Sequence, residues 1–351
     1  MPQVEAKESK VLISVIIPVY NVKTFLPSLF ENLNEQNLTH TEVLFIDDGS
    51  TDGSSDELDR LAKDTDFIVI HQENSGVAAA RNYALDAAQG EYLCFIDPDD
   101  RISLDYLHVL KQVAQNSHPD LIITDWRKVV NGMPQPLYLK PINFPQFPTT
   151  QLILAEILSS GRIIGSLWAK LFSAKLFNNN RFPMQRTSSD YVPVINAICK
   201  AQHICYASDI FYAYTSDRTT SLQNNQNPQD IHDSIQVHEK TAQLIRKEYP
   251  ALENLLRFDL LNSAQQACIH ICRSRAIPNN KRRGLFRHYR KPIVNNLVYL
   301  LKRSGSLKYK LIMLCIALGY HTTNLILRIS ELKRLFPFEC VRAVLHHLLC
   351  E

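Results

Sequence analysis

Four short apolar runs each break off into a cluster of polar or acidic side chains, and this repeated punctuation constrains the fold more than any other feature of the chain. Val11-Leu-Ile-Ser-Val-Ile-Ile-Pro-Val-Tyr20 is rich in β-branched residues and ends around Pro18 and Asn21. Glu42-Val-Leu-Phe-Ile46 runs into Asp47-Asp48-Gly49-Ser50-Thr51-Asp52, and Phe67-Ile-Val-Ile70 into His71-Gln72-Glu73-Asn74. Tyr92-Leu-Cys-Phe-Ile96 runs into Asp97-Pro98-Asp99-Asp100, and a fifth run, Leu121-Ile-Ile-Thr124, ends at Asp125. Between them, Phe25, Leu26, Leu29, Phe30 and Leu33 recur at helical spacing, and Ser75-Gly76 opens a second helical stretch from Val77 to Ala88. Short apolar strands alternating with amphipathic helices predict an α/β fold, a mostly parallel, doubly wound sheet. Ligands of such sheets bind beyond the carboxyl ends of the strands, where all of these polar clusters fall.

The tetrapeptide Asp97-Pro98-Asp99-Asp100 is the most demanding of the clusters. Three carboxylates behind a buried strand repel one another unless a cation offsets them. Hard oxygen ligands favour Mg²⁺ or Mn²⁺, and an ion held in this way also grips a diphosphate. The alternative from the residues alone is an acidic loop that caps the next helix.

In order, Ser14-Val-Ile-Ile-Pro-Val-Tyr-Asn21, Phe45-Ile-Asp-Asp-Gly-Ser-Thr-Asp52, Asn74-Ser-Gly-Val-Ala-Ala-Ala-Arg-Asn82 and Gly90-Glu-Tyr-Leu-Cys-Phe-Ile-Asp-Pro-Asp-Asp100 resemble the signature of family 2 glycosyltransferases. The resemblance covers about the first two-thirds of the chain. It implies a GT-A fold, a Rossmann-like sheet flanked by helices, and an inverting, metal-dependent transfer from a nucleotide-sugar, by expectation a UDP-sugar. It further implies that Pro18, Tyr20 and Asp48 cradle the nucleobase and ribose, and that Asn74 and Arg81 lie near the nucleoside and diphosphate. Asp97 and Asp99 resemble the DxD motif, with Asp99 as ligand of Mn²⁺ or Mg²⁺, Asp97 beside it toward the ribose, and Asp100 as an extension. Arg81 could equally be a helix-surface ion pair, and Tyr20 a sheet-edge aromatic.

Farther along, Phe182-Pro-Met-Gln-Arg-Thr-Ser-Ser-Asp-Tyr-Val-Pro-Val194 resembles the acceptor-side segment of the family, with Asp190 in the place of the catalytic base and Ser189 where Glu is usual. An acceptor hydroxyl is a poor nucleophile at neutral pH and needs such a base. The rival reading is that Thr187, Ser188 or Ser189 caps a helix whose positive end suits Asp190. Ser166-Leu-Trp-Ala-Lys-Leu-Phe172 resembles the segment bordering the acceptor pocket: Trp168 either stacks on a sugar or belongs to the core, and Lys170 reads as a structural ion-pair partner. Tyr212-Ala-Tyr-Thr-Ser-Asp-Arg-Thr-Thr-Ser-Leu222 resembles the closing element, with Arg218 positioned to reach the diphosphate.

At 351 residues and 45% hydrophobic content the chain buries a large core and divides into two domains. The expected boundaries are a tail over 1–10, a glycosyltransferase domain over 11–225 (nucleotide-sugar half 11–125, acceptor half 126–225) and a basic helical region over 226–351. The eight cysteines form no CxxC pair; Cys268, His270 and Cys272 are too few for a zinc site, and reduced buried thiols are the expectation. No secretory signal is expected from Met1–Lys10, and there is no GxGxxG after the first strand and no P-loop. Between residues 260 and 330 there is no Asp or Glu but 13 of the 38 Lys and Arg, leaving 25 basic against 35 acidic residues elsewhere. That polarity implies an anionic partner. The apolar run Leu311–Leu318 is far shorter than the roughly 20 residues that span a bilayer. Basic and aromatic helices of this kind suit an anionic membrane surface, here the cytoplasmic face of the inner membrane, better than nucleic acid. The expected acceptor is a glycan or lipid-linked acceptor of envelope polysaccharide synthesis. Two other classes remain open: a non-catalytic sugar-nucleotide or glycan-binding scaffold, favoured by Ser189, and a sugar nucleotidyltransferase, disfavoured because Tyr20-Asn21-Val22-Lys23 lacks glycine.

Overall fold

The computed structural model describes residues 11–130, 133–135, 144–159, 161–215, 227–274, 276–303 and 306–335. In chain order the first unit runs β1 (Ile13–Val19), α1 (Leu26–Asn34), β2 (Thr41–Asp47), α2 (Ser54–Ala62), β3 (Ile68–His71), α3 (Val77–Ala87), β4 (Tyr92–Phe95), β5 (Arg101–Ile102), α4 (Tyr106–Ser117), β6 (Leu121–Val130), β7 (Met133–Pro134), α5 (Thr150–Ser159), β8 (Lys170–Ser173), α6 (Tyr191–Lys200) and β9 (Ile204–Thr215). The strands join in one sheet of order β3-β2-β1-β4-β8-β6-β9-β5, with β7 beside β6.

The first four strands pair in parallel, as the alternation of strands and helices predicts. The second half is mixed: β8 runs antiparallel to both β4 and β6, while β6 and β9 are parallel. The segment after α5 returns to the sheet centre and inserts β8 in reverse, a topology that strand periodicity alone does not encode. All seven residues of β1 are buried, which matches its unbroken apolar run.

Pro18 lies inside this buried strand, a position that normally rejects proline. The ladder explains the exception. Asp48 N donates to Val19 O on the β2 side, whereas Ile96 N donates to Ile16 O on the β4 side. Alternation therefore turns Pro18 toward β4, whose paired register has already ended at Phe95.

The carboxyl ends of β2 and β3 are tied by side chains. The His71 ring lies 2.9 Å from Asp47 Oδ2 through Nδ1 and 3.1 Å from Asp59 Oδ1 through Nε2. Burial works against ionisation of Asp47, but hydrogen bonds from Ser50, Ser55 and His71 outweigh it and hold the carboxyl below its ordinary 3.8. The Asp47 hydrogen bond raises His71 above its ordinary 6.5 against partial burial, with Asp59 assisting.

The second unit is helical: α7 (Pro228–Glu248), α8 (Glu253–Arg273), α9 (Asn279–Asn295), α10 (Leu297–Arg303), α11 (Leu307–Leu318) and α12 (Tyr320–Leu335). Contacts assign residues 227–242 and 253–335 to it and residues 243–252 to the first unit. Its own core gathers Leu261, Cys268, Ile271, Phe286, Ile293, Leu300, Met313 and Ile316, and Cys268 and Cys272 lie in it as free thiols. No helix of the described residues is long and apolar enough to cross a membrane.

The Asp47–His71 contact gives a pH prediction. Because the folded pKa of His71 is raised, its stabilisation is complete below 6.5 and is lost as pH rises through the folded value; that of Asp47 is present above 3.8 and lost as pH falls below it. An NMR titration of His71 is expected to show a midpoint above 6.5, and Asp47→Asn should bring it back to 6.5 or lower. An unchanged midpoint in that variant would refute the pairing.

Candidate active site at the strand ends

The polar segments that follow β1, β2 and β3 are fastened to one another rather than left as separate loops. Asn21, at φ 52°, accepts from Thr51 N through Oδ1 at 2.8 Å, and its own N–H donates to Ser50 Oγ at 3.1 Å. Val22 N donates to Ser54 Oγ at 2.9 Å. Asp48, 3% exposed, accepts from Gln72 Nε2 (2.6 Å) and Ser75 N (2.8 Å) on Oδ1 and from Gly76 N (2.8 Å) on Oδ2. Asn74 Nδ2 closes the loop on Asp48 O at 3.0 Å. Gly49, at φ 68°, passes so near that an added Cβ would lie 2.7 Å from Asn74 N. The buried Asp48 charge is thus matched by donors from the loop after β3, each such bond to a charged group contributing about 1.5–3 kcal/mol. Tyr20 stands above this floor, 48% exposed.

Arg81 projects from α3 with 9% exposure. Its Nη2 lies 3.5 Å from Asp97 Oδ1, its guanidinium carbon 5.9 Å from the Phe182 ring, and its Nε is buried without a hydrogen-bond partner. A buried N–H left unpaired is costly, and here it sits in a guanidinium directed at a carboxylate cluster. The helix-surface alternative does not describe this residue.

The three acids after β4 have different surroundings. Asp100 is 2% exposed and bound into β9: its Oδ2 accepts from Tyr212 Oη at 2.7 Å and its Oδ1 from Thr215 N at 2.7 Å. The same Tyr212 hydroxyl accepts from Asp97 N at 3.0 Å. Asp97 and Asp99 are half-buried. Burial and the charges of Asp99 and Asp190 push the Asp97 carboxyl up, although Arg81 pulls it down. Burial, Asp97 and Asp99 push Asp100 up, against the Thr215 and Tyr212 hydrogen bonds. The cluster is therefore short of positive charge even with Arg81 in place.

Asp190 belongs to the same electrostatic group. It occupies the N-cap position of α6, but its side chain makes no capping hydrogen bond, and neither Thr187, Ser188 nor Ser189 takes that position. Ser189 is buried, and Thr187 Oγ1 is buried without a partner. The segment before it is pinned to α3: Asn82 Nδ2 donates to Phe182 O and Asn82 Oδ1 accepts from Phe182 N, both at 2.9 Å.

The loop before β8 packs beside α6. A Cβ at Gly165 would lie 2.4 Å from the Tyr191 ring, so only glycine lets the first residue of α6 settle there. Lys170, 1% exposed, donates to the carbonyls of Ile164 (2.7 Å), Ser166 (2.9 Å) and Trp168 (3.3 Å). It is a clamp on that loop rather than the ion-pair partner expected from sequence. Burial pulls its ammonium down to about 7, while the Asp190 charge favours the protonated form. Trp168 is 8% exposed and stacks on Tyr212 and Tyr214, with ring centroids 5.0 and 5.1 Å apart.

The structure thus brings Asp48 and Asn74 together, and Arg81, Asp97 and Asp190 into one charged group with Asp99 and Asp100. Arg218 lies outside the described residues. Sequence reasoning missed Tyr212, which bridges Asp97 and Asp100, and Asn82, which holds Phe182. The Tyr-x-Tyr spacing was a usable signal, because alternate strand residues share a face.

Divalent cations of this type are held by one or two carboxylates together with substrate phosphates. Among the described residues no group of three His, Cys, Asp or Glu converges as a metal cage. The acid-rich, charge-deficient cluster after β4 fits an ion shared with a phosphate-bearing ligand.

Comparison with known proteins agrees with this geometry. The chain is 29% identical over 222 residues to the cholesterol galactosyltransferase of Borreliella burgdorferi, covering 58% of this chain and 60% of that protein. Over 177 residues it is 32% identical to EpsH of Bacillus subtilis, covering 49% of this chain and 51% of EpsH. The chain therefore spans little more than half the length of these relatives. The crystal structure of S. aureus TarS 1–349 in complex with UDP-GlcNAc superposes with a TM-score of 0.64 at 21% identity, over 88% of this chain and 91% of that one, and establishes the GT-A fold. Residues 14–166, a little under half of the chain, match the family model "Glycosyl transferase family 2".

Proposed function

We propose that this chain is an inverting, metal-dependent glycosyltransferase that moves a sugar from a nucleotide-sugar, a UDP-sugar by preference, to a glycan or lipid-linked acceptor of the cell envelope. The observation that carries the proposal is the convergence of Asp97, Asp99, Asp100 and Asp190 on one charge-deficient edge beside the half-satisfied Arg81. The donor's nucleoside lies along Pro18, Tyr20, Asp48 and Asn74, where Asp48 keeps lone-pair capacity beyond its three internal bonds and Tyr20 offers an exposed ring. Arg81, with its Nη2 beside Asp97, is the cation nearest the diphosphate in this reading. Asp99 with Asp97 would hold Mn²⁺ or Mg²⁺, which when bound would supply Lewis-acid stabilisation of the leaving diphosphate. Asp190 takes the proton from the acceptor hydroxyl, which attacks the anomeric carbon in a single displacement. Trp168 borders the acceptor side as part of the aromatic stack with Tyr212 and Tyr214.

The TarS complex with UDP-GlcNAc and a Pyrobaculum calidifontis mannosyltransferase complex with GDP-Man and Mn²⁺ support the choice of donor class and metal by analogy of fold. In the helical unit Leu307, Leu311, Leu314 and Leu318 are exposed at spacings that place them on one face of α11. With the acid-free basic composition of residues 260–330, this face suits an anionic bilayer surface. Enzyme action then takes place on the cytoplasmic face of the inner membrane.

Paired variants test the active-site reading. Asp190→Asn is expected to keep Mn²⁺-dependent UDP binding in calorimetry while transfer falls by about 10²-fold or more, the scale of general-base loss. Asp99→Ala is expected to lose the metal dependence of UDP binding with an unchanged circular dichroism spectrum. Normal transfer by Asp190→Asn, or normal metal-dependent binding by Asp99→Ala, would remove that residue from its role. For the bilayer contact, replacing Leu311 and Leu318 by Glu should abolish co-sedimentation with anionic vesicles; equal recovery would defeat it.

A further inference from the structure

Outside the strand-end site, the helical unit holds a polar cavity of about 390 Å³ walled by three of its helices. Arg273 enters it from the end of α8, Arg282 from α9 and Arg328 from α12, and Asn324 adds a side-chain amide. Among the described residues that line it none is acidic. We infer that this cavity is a binding site for a phosphate group, the phosphate of a lipid headgroup or of a soluble phosphate compound.

Arg282 makes the site a built one. Its Nε donates to Ile277 O at 2.9 Å and its Nη2 to Ser274 O at 2.5 Å, so the guanidinium is fixed against the main chain between α8 and α9. Those bonds leave the Nη1 edge for a ligand. Arg273 and Arg328 are exposed at the rim and add charge without strain. A planar guanidinium matches two phosphate oxygens at once, and arginines from three directions match a tetrahedral anion better than a carboxylate. The Cys272 thiol in the wall is pushed up to about 12 by burial in spite of Arg282 and Arg273, so it is a neutral neighbour and brings no thiolate to compete for the arginines. Leu325 and Ile326, exposed on the same turns of α12 as Asn324 and Arg328, give an acyl chain a surface to lie on. The lipid arm rests on the bilayer contact proposed above; the soluble arm does not, and neither depends on glycosyl transfer.

The test uses the full chain and two variants of equal charge loss, Arg273→Gln with Arg328→Gln, and Lys302→Gln with Lys308→Gln as an exposed control. Binding is measured to phosphatidylglycerol vesicles, to vesicles made anionic with oleate, and to inorganic phosphate and pyrophosphate by thermal shift. A headgroup site predicts preference for phosphatidylglycerol over oleate, and a loss from the arginine pair about tenfold greater than from the lysine pair, since diffuse attraction weakens equally for equal charge. A soluble source predicts a phosphate- or pyrophosphate-induced rise in Tm that the arginine pair removes and the lysine pair keeps. Equal losses from the two pairs, with no selectivity for phosphatidylglycerol and no Tm response to either anion, would overturn the site. Glycosyl transfer enters none of these readouts, so failure here leaves the active-site reading standing.

Discussion

Mutual repulsion among carboxylates at the end of β4 is the constraint to which the rest of the catalytic unit answers. Asp97, Asp99 and Asp100 follow a buried strand, and Asp190 arrives from a distant part of the chain to increase the same negative field. One member is neutralised internally: Asp100 is taken into β9 by Tyr212 and Thr215. Asp97 keeps Arg81 beside it, yet burial and the charges of Asp99 and Asp190 still push its carboxyl up. Carboxylates held in this way are costly unless positive charge offsets them.

Support for that edge comes from backbone rather than bulk. Asp48 gathers the loop after β3, Asn21 and Ser54 bind the loops after β1 and β2 together, and Asn82 attaches the segment before α6 to α3. Each link satisfies groups that a buried loop would otherwise leave unpaired. The loops at the strand ends are therefore cross-linked to one another by their own hydrogen bonds.

Much of this was legible in the sequence. The parallel half follows from apolar runs of strand length, and the helix from Val77 begins where Ser75-Gly76 signals it. The acids of the strand ends are legible too, because polar residues cluster where periodicity stops. What sequence did not disclose depends on contacts between distant segments. The reversed direction of β8, the bridging hydroxyl of Tyr212 and the carbonyl clamp of Lys170 all arise from tertiary approach. Lys170 illustrates the limit: a basic residue beside acidic motifs reads as an ion pair, yet its ammonium is surrounded by main-chain oxygen.

The reciprocal pair between Asn82 and the main chain of Phe182 imitates one rung of a β-ladder, and it fastens the segment before α6 to α3. Phe182 travels with α3, and Tyr191 is seated against Gly165. Residues 183–189 are the whole connection between these anchors, and within it Ser188 holds the left-handed backbone at φ 56° while Ser189 is buried. The place of Asp190 at the start of α6 is therefore set by contacts on either side of a link a few residues long.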